Sequence, residues 1–206
     1  MNRQKVFAIG FHRTGTTSLQ TALEEFGYSV VGMRSNEWSV YVSGELDALW
    51  PTVQEFDGFR DMPWPLLYRW LYKNVSGAKF ILTYRDPINW ARSCVGNYKD
   101  RPYEMFPVIY GFDVFAGNEA RAIEIYERHI AEVRRFFEDK PDSFLEVDVT
   151  EGMQWQTLCD FLDESLPERA FPHANKRPQN SFRKLYYRLL RYLSPKRYRR
   201  MVRDKN

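Results

Sequence analysis

The sequence predicts an α/β fold, three αβα layers around a central, mostly parallel sheet of about five strands. Two observations carry that expectation. Apolar segments alternate between short strand-like runs and stretches with apolar residues every three or four positions. The first run, Val6-Phe7-Ala8-Ile9, enters a glycine-spaced loop and then a helical pattern with Leu19, Ala22, Leu23 and Phe26 on one face, closed by Gly27. Chains built this way bind ligands beyond the carboxyl ends of their strands.

The later elements follow from the same patterns. Tyr28 to Met33 reads as a second strand, and Asn36 caps a helix running toward Trp50. Phe56 to Arg60 is a short strand ending at Asp61-Met62-Pro63, and Pro65 to Lys73 a helix. Lys79 to Tyr84 is a strongly apolar strand, and Pro87 to about Tyr98 a helix with proline in its first turn. Lys99 to Gly117, rich in Pro, Gly and aromatics without a period, is expected to be a loop or lid. Asn118 then caps the longest helical pattern, with Ala122, Ile125, Tyr126, Ile130, Val133 and Phe137 on one face. Ser143 to Val147 is another strand and Trp155 to Leu162 a helix.

With 206 residues the chain is long enough to bury a substantial core. No stretch approaches the roughly 20 apolar residues of a membrane span, and no signal peptide precedes the first strand, so a cytoplasmic protein is expected. Cys94 and Cys159 are too few for a zinc site or a disulfide framework and read as reduced core thiols. The net charge of +3 is unevenly placed: residues 183–206 hold ten Lys or Arg and one acid. This divides the chain into an α/β domain over 1–182 and a basic amphipathic tail over 183–206. The tail suits either contact with an anionic membrane surface, peripherally, or packing with a solvated basic face; no nucleic-acid reading motif accompanies it.

The loop from Gly10 to Thr17 carries the chemistry. Gly10 and Gly15 have the G-x-x-x-x-G spacing of a P-loop, in which backbone N–H groups and a helix N-terminus hold a phosphate. In the nucleotide-hydrolysing form the next residue is a lysine. Here it is Thr16, and the cation is instead Arg13, inside the loop, suited to fork onto phosphate or sulfate. Downstream, Arg85 stands at the end of the Lys79–Tyr84 strand and Ser93 two turns into the following helix, where a guanidinium and a hydroxyl share a second phosphate.

These segments resemble the sulfotransferases that use 3′-phosphoadenosine 5′-phosphosulfate (PAPS), a family with a P-loop NTPase-like fold. The run His12-Arg13-Thr14-Gly15-Thr16-Thr17, the strand ending in Arg85-Asp86-Pro87, and Phe171-Pro172-His173-Ala174-Asn175 are similar to a mostly uncharacterised branch, over residues 5 to 177. The resemblance implies PAPS as donor, adenosine 3′,5′-bisphosphate as product, and no metal. It assigns the 5′-phosphosulfate to His12, Arg13, Thr14, Gly15, Thr16, Thr17 and Ser18, and the 3′-phosphate to Arg85 and Ser93, with Lys176 and Arg177 as further contacts. Arg13 replaces the family's loop lysine and acts electrostatically, because it cannot give up a proton.

Sulfuryl transfer needs a base for the acceptor's proton. Where many relatives have a histidine before a proline, this chain has Asp61-Met62-Pro63, which makes Asp61 the candidate base beside Arg13 as the second catalytic residue. Of the histidines, His129 is expected on an exposed, charged helix face. The acceptor, a small molecule, glycan or lipid with a hydroxyl or amine, is expected among Trp38, Trp64, Tyr98, Tyr103, Phe106 and Tyr110. Two rival readings are a P-loop kinase of a small metabolite and a non-catalytic nucleotide-binding or membrane-docking protein on the same scaffold.

Overall fold

The structure, a computed structural model, describes residues 3–172; His173, Lys176, Arg177 and the basic tail lie outside the described residues. Five strands form one sheet: β1 (Val6–Ala8), β2 (Val30–Val31), β3 (Gly58–Phe59), β4 (Lys79–Tyr84) and β5 (Phe144–Asp148). Their spatial order is β2-β3-β1-β4-β5, and every pairing is parallel. β1 therefore lies centrally, with β3 on one side and β4 on the other, so residues following these three strands share one edge.

Alternation along the strands builds two cores. Phe7, Ile9, Phe80 and Leu82 face a large aromatic layer, while Val6, Ala8 and Ile81 face a smaller one. The small layer is covered by α1 (Thr16–Glu25) and α8 (Trp155–Leu162), through Leu19, Ala22, Leu23, Leu158 and Leu162. The large layer is covered by α4 (Tyr68–Asn74), α5 (Pro87–Tyr98), α6 (Met105–Tyr110) and α7 (Glu119–Phe137). The three-layer expectation holds, with an all-parallel sheet. Both cysteines are buried free thiols, and no described helix is long and apolar enough to cross a membrane.

Several boundaries differ from the sequence reading. The helix expected to run toward Trp50 is broken in two: α2 (Ser35–Ser43) stops at Gly44, whose φ of 80° lets its N–H turn back to Val40 and Tyr41. After a 3₁₀ turn at Leu46–Leu49 the chain restarts as α3 (Trp50–Glu55). The helix expected from Pro65 begins as a 3₁₀ turn, Trp64–Leu66, and becomes α-helical only at Tyr68.

The segment 99–117 is no lid. It contains α6, and Met105, Phe106, Tyr110 and Phe115 are buried core residues. Six residues are too few to display a period, and Pro107 is tolerated because it sits in the first turn. Asn118 occupies the position before α7, but its side chain donates backward to the Val114 carbonyl (3.0 Å) instead of capping.

His129 is buried, not exposed. It lies three residues after Tyr126, on the inward stripe of α7, and its Nε2 bonds the Ile9 carbonyl at 2.8 Å. Burial lowers its pKa to about 4, so the ring is neutral and Nε2 is the donor. The aromatic residues proposed to line the acceptor are mostly core: Trp38, Trp64, Tyr98, Phe106 and Tyr110 are all buried.

Candidate active site

The loop after β1 is held by its own side chains. Thr14 turns its hydroxyl inward, to the Phe11 carbonyl and to Thr83 Oγ1 on β4 (2.9 Å). Gly10 makes this possible, because a Cβ there would lie 2.1 Å from the Thr83 carbonyl oxygen and 2.9 Å from Thr14 Oγ1. Gly15, at φ 86°, begins α1, which has no side-chain cap and no acidic residue in its first turn. The helix N-terminus thus keeps donors and a positive dipole end for an anion. Thr16 is buried there and Thr17 exposed.

Arg13 adopts φ 66°, a left-handed conformation unusual for a residue with a side chain. From that position its Nε donates to Ser93 Oγ on α5 at 3.2 Å. Two motifs separated by 80 residues are therefore joined.

Arg85 follows β4 at the same edge. The Tyr126 hydroxyl grips its backbone twice, accepting from the Arg85 N–H at 3.0 Å and donating to its carbonyl at 3.2 Å. Burial pushes the Tyr126 phenol up, keeping that donor protonated. Trp90 stacks on Tyr126 with ring centres 4.1 Å apart. Asp86 caps α5 through the Asn89 N–H (2.8 Å), leaving the Arg85 guanidinium for other work. Arg85 Nε is buried without a hydrogen-bond partner. A buried cationic donor in that state fits an anion.

Asp61 comes from the far side of β1, two residues after the end of β3. It too has a positive φ, 61°. Thr16 Oγ1 donates to its Oδ1 at 3.0 Å, and Arg60 holds its Oδ2. The Arg60 Nε in turn donates to Gln20 on α1. Neither Arg60 nor Gln20 belongs to a motif recognisable from the sequence. Adjacency to Asp61 and the one-turn spacing of Gln20 after Thr16 were the available signals.

His12 belongs to the aromatic layer and not to the open loop. Trp90, Tyr98, Phe106, Tyr110 and Phe115 surround it, and its Nε2 meets the Tyr110 hydroxyl at 3.1 Å. Burial, with Arg13 adding to it, lowers its pKa to about 3. A ring so hard to protonate is poorly matched to general-base work near neutrality. Its carbonyl accepts from Trp90 Nε1 (2.9 Å), tying the loop to α5. Among the described residues no group of three His, Cys, Asp or Glu is arranged for a metal.

The loop with its internal arginine therefore lies between a carboxylate after β3 and a second arginine at the end of β4. A family described as a sulfotransferase domain matches the chain over residues 5–110 and 97–180. The chain belongs to this sulfotransferase family. Its role is accordingly of the sulfotransfer type. It is also similar to the Ava biosynthesis cluster protein M of Aspergillus versicolor, 26% identical over 211 residues that span 82% of this chain and 80% of that protein. The sulfotransferase match includes every candidate site residue, among them Lys176 and Arg177.

Proposed function

We propose that this sulfotransferase moves a sulfuryl group from PAPS to a hydroxyl or amine of a small-molecule, glycan or lipid acceptor. The observation that carries the reading is the joining of Arg13 to Ser93 beside the buried, unpartnered Nε of Arg85. Cationic donors there serve two phosphates, one from the loop and one from the end of β4. Arg13, the α1 N-terminus and the Thr16 and Thr17 hydroxyls would hold the 5′-phosphosulfate. Arg85 and Ser93 would hold the 3′-phosphate, and Lys176 and Arg177 are proposed as its outer contacts. When bound, the donor supplies an activated sulfuryl group with a phosphate leaving group. Asp61 takes the acceptor's proton, and Arg13 balances the charge that develops on the leaving oxygen.

One contact also suits a kinase: a carboxylate after a sheet strand touching a loop threonine is how P-loop enzymes approach magnesium. Calorimetry with adenosine 3′,5′-bisphosphate, 5′-AMP and Mg-ATP separates the readings. The proposed function predicts metal-independent preference for the bisphosphate. In Arg85→Ala that preference falls about 10- to 100-fold, the worth of one charged hydrogen bond, while 5′-AMP binding holds within about twofold. Preference for Mg-ATP would overturn it.

A further inference from the structure

Asp61 is a weaker base while Thr16 bonds it, because the contact stabilises its ionised form. A carboxylate only accepts, so the 3.0 Å contact uses the single proton of the Thr16 hydroxyl. An ionised phosphate oxygen is likewise only an acceptor, and its hydrogen bond with Thr16 needs the same proton. The two bonds exclude each other. The other oxygen, Oδ2, is held independently by Arg60, whose guanidinium is braced by Gln20 and packs within 3.4 Å of where a side chain on Gly32 would begin.

We propose that Thr16 and Arg60 are positioning residues that make the base conditional on the donor: filling the loop draws the Thr16 hydroxyl off Asp61 and frees Oδ1, while Arg60 keeps the carboxylate aimed. This rests on the proposed function, in which the loop takes the 5′-phosphate. The acceptor's proton then passes to Oδ1 as its oxygen or nitrogen bonds sulfur. The bond between sulfur and the bridging oxygen breaks, and its electron pair leaves with the phosphate. Without donor, Asp61 accepts a hydrogen bond on each oxygen, and an acceptor arriving first meets a weaker base.

The test is carboxyl-carbon NMR, at one fixed near-neutral pH, of the full chain labelled at aspartate, with and without adenosine 3′,5′-bisphosphate. The Asp61 resonance is identified by its loss in Asp61→Asn. In the wild type the nucleotide is expected to displace the Asp61 carboxyl-carbon resonance, as the Thr16 hydrogen bond is withdrawn from Oδ1. In Thr16→Val the resonance is expected to be displaced in the same direction already without nucleotide, and the nucleotide-induced change to fall by about half or more; Thr16→Ser restores the wild-type behaviour. Equal Asp61 resonance positions in nucleotide-free wild type and Thr16→Val overturn the proposal even if the valine variant binds nothing. So does nucleotide binding to the wild type that leaves Asp61 unmoved. Absence of nucleotide binding to the wild type is a separate result, which removes the donor reading and the proposal together.

Discussion

The carboxyl edge of the sheet and the aromatic layer beneath it are only one residue apart at His12 and Arg13, yet they obey opposite rules. In the layer, Phe11, Trp90, Phe106, Tyr110, Phe115 and Tyr126 are each at most 1% exposed and in ring-to-ring contact. At the edge, Arg13 and Asp61 hold left-handed backbone conformations, and Arg85 keeps a buried donor unpaired. Left-handed backbone costs an ordinary residue about 1–2 kcal/mol. Such strain persists only where the surroundings over-determine it, and Arg13 directly follows His12, which is locked into the aromatic layer.

Removing that support gives the largest expected effect. Trp90→Ala deletes the ring stacked on Tyr126 and the donor to the His12 carbonyl, and is expected to cost about 3–5 kcal/mol in urea unfolding. A loss below about 1 kcal/mol would mean that the layer is not what holds the edge.

The layer also carries a pH signature. His12 and His129, with pKa values lowered to about 3 and about 4, bind protons more readily when unfolded. Their neutral burial costs nothing above pH 6.5, and stability is lost as pH falls below that value toward 4. Each contributes a slope approaching about 1.4 kcal/mol per pH unit. Melting curves between pH 7 and 4.5 should show the decline, and His129→Leu should remove about half of the slope. An unchanged slope in that variant would place the linkage elsewhere.

Gly10→Ala probes the seam between the regions. Its Cβ has no room against Thr83 and Thr14, so about 1–3 kcal/mol of destabilisation is expected, with weakened nucleotide binding in calorimetry. Stability and binding unchanged together would mean the loop relaxes freely.

The smallest stability effect is expected at the edge itself. Arg13→Gly relieves the left-handed strain while adding chain entropy to the unfolded state, so unfolding free energy should stay within about 1 kcal/mol of wild type. Adenosine 3′,5′-bisphosphate affinity should fall about tenfold or more as the guanidinium is lost. A variant that is both strongly destabilised and unimpaired in binding would reverse the roles given to the two regions.

What the sequence determined by itself was local. The strand Lys79–Tyr84, the helix Pro87–Tyr98 with its proline start, and the helix Trp155–Leu162 appear at the boundaries their patterns predict. The loop from Gly10 to Thr17 was legible as a candidate anion site through glycine spacing and Arg13. These features are written in neighbouring residues, since caps, periods and turns act over one or two helical turns. Gly44 was a legible stop that the longer helical pattern overrode. His129 was legible in part, as its spacing from Tyr126 puts it on the buried face, but the charges around it pointed outward.

Only the tertiary structure decided which distant groups meet. Strand order β2-β3-β1-β4-β5 places the ends of β3 and β4 on either side of the loop after β1. That order brings Asp61 to Thr16 across 45 residues and Ser93 to Arg13 across 80. It also turns the aperiodic stretch 99–117 from an expected lid into core, because aromatic surface without a period of its own is ordered by what it packs against. Pairing of strands depends on matching apolar faces far apart in the chain, so the site's parts were readable one by one, and their assembly belongs to the fold.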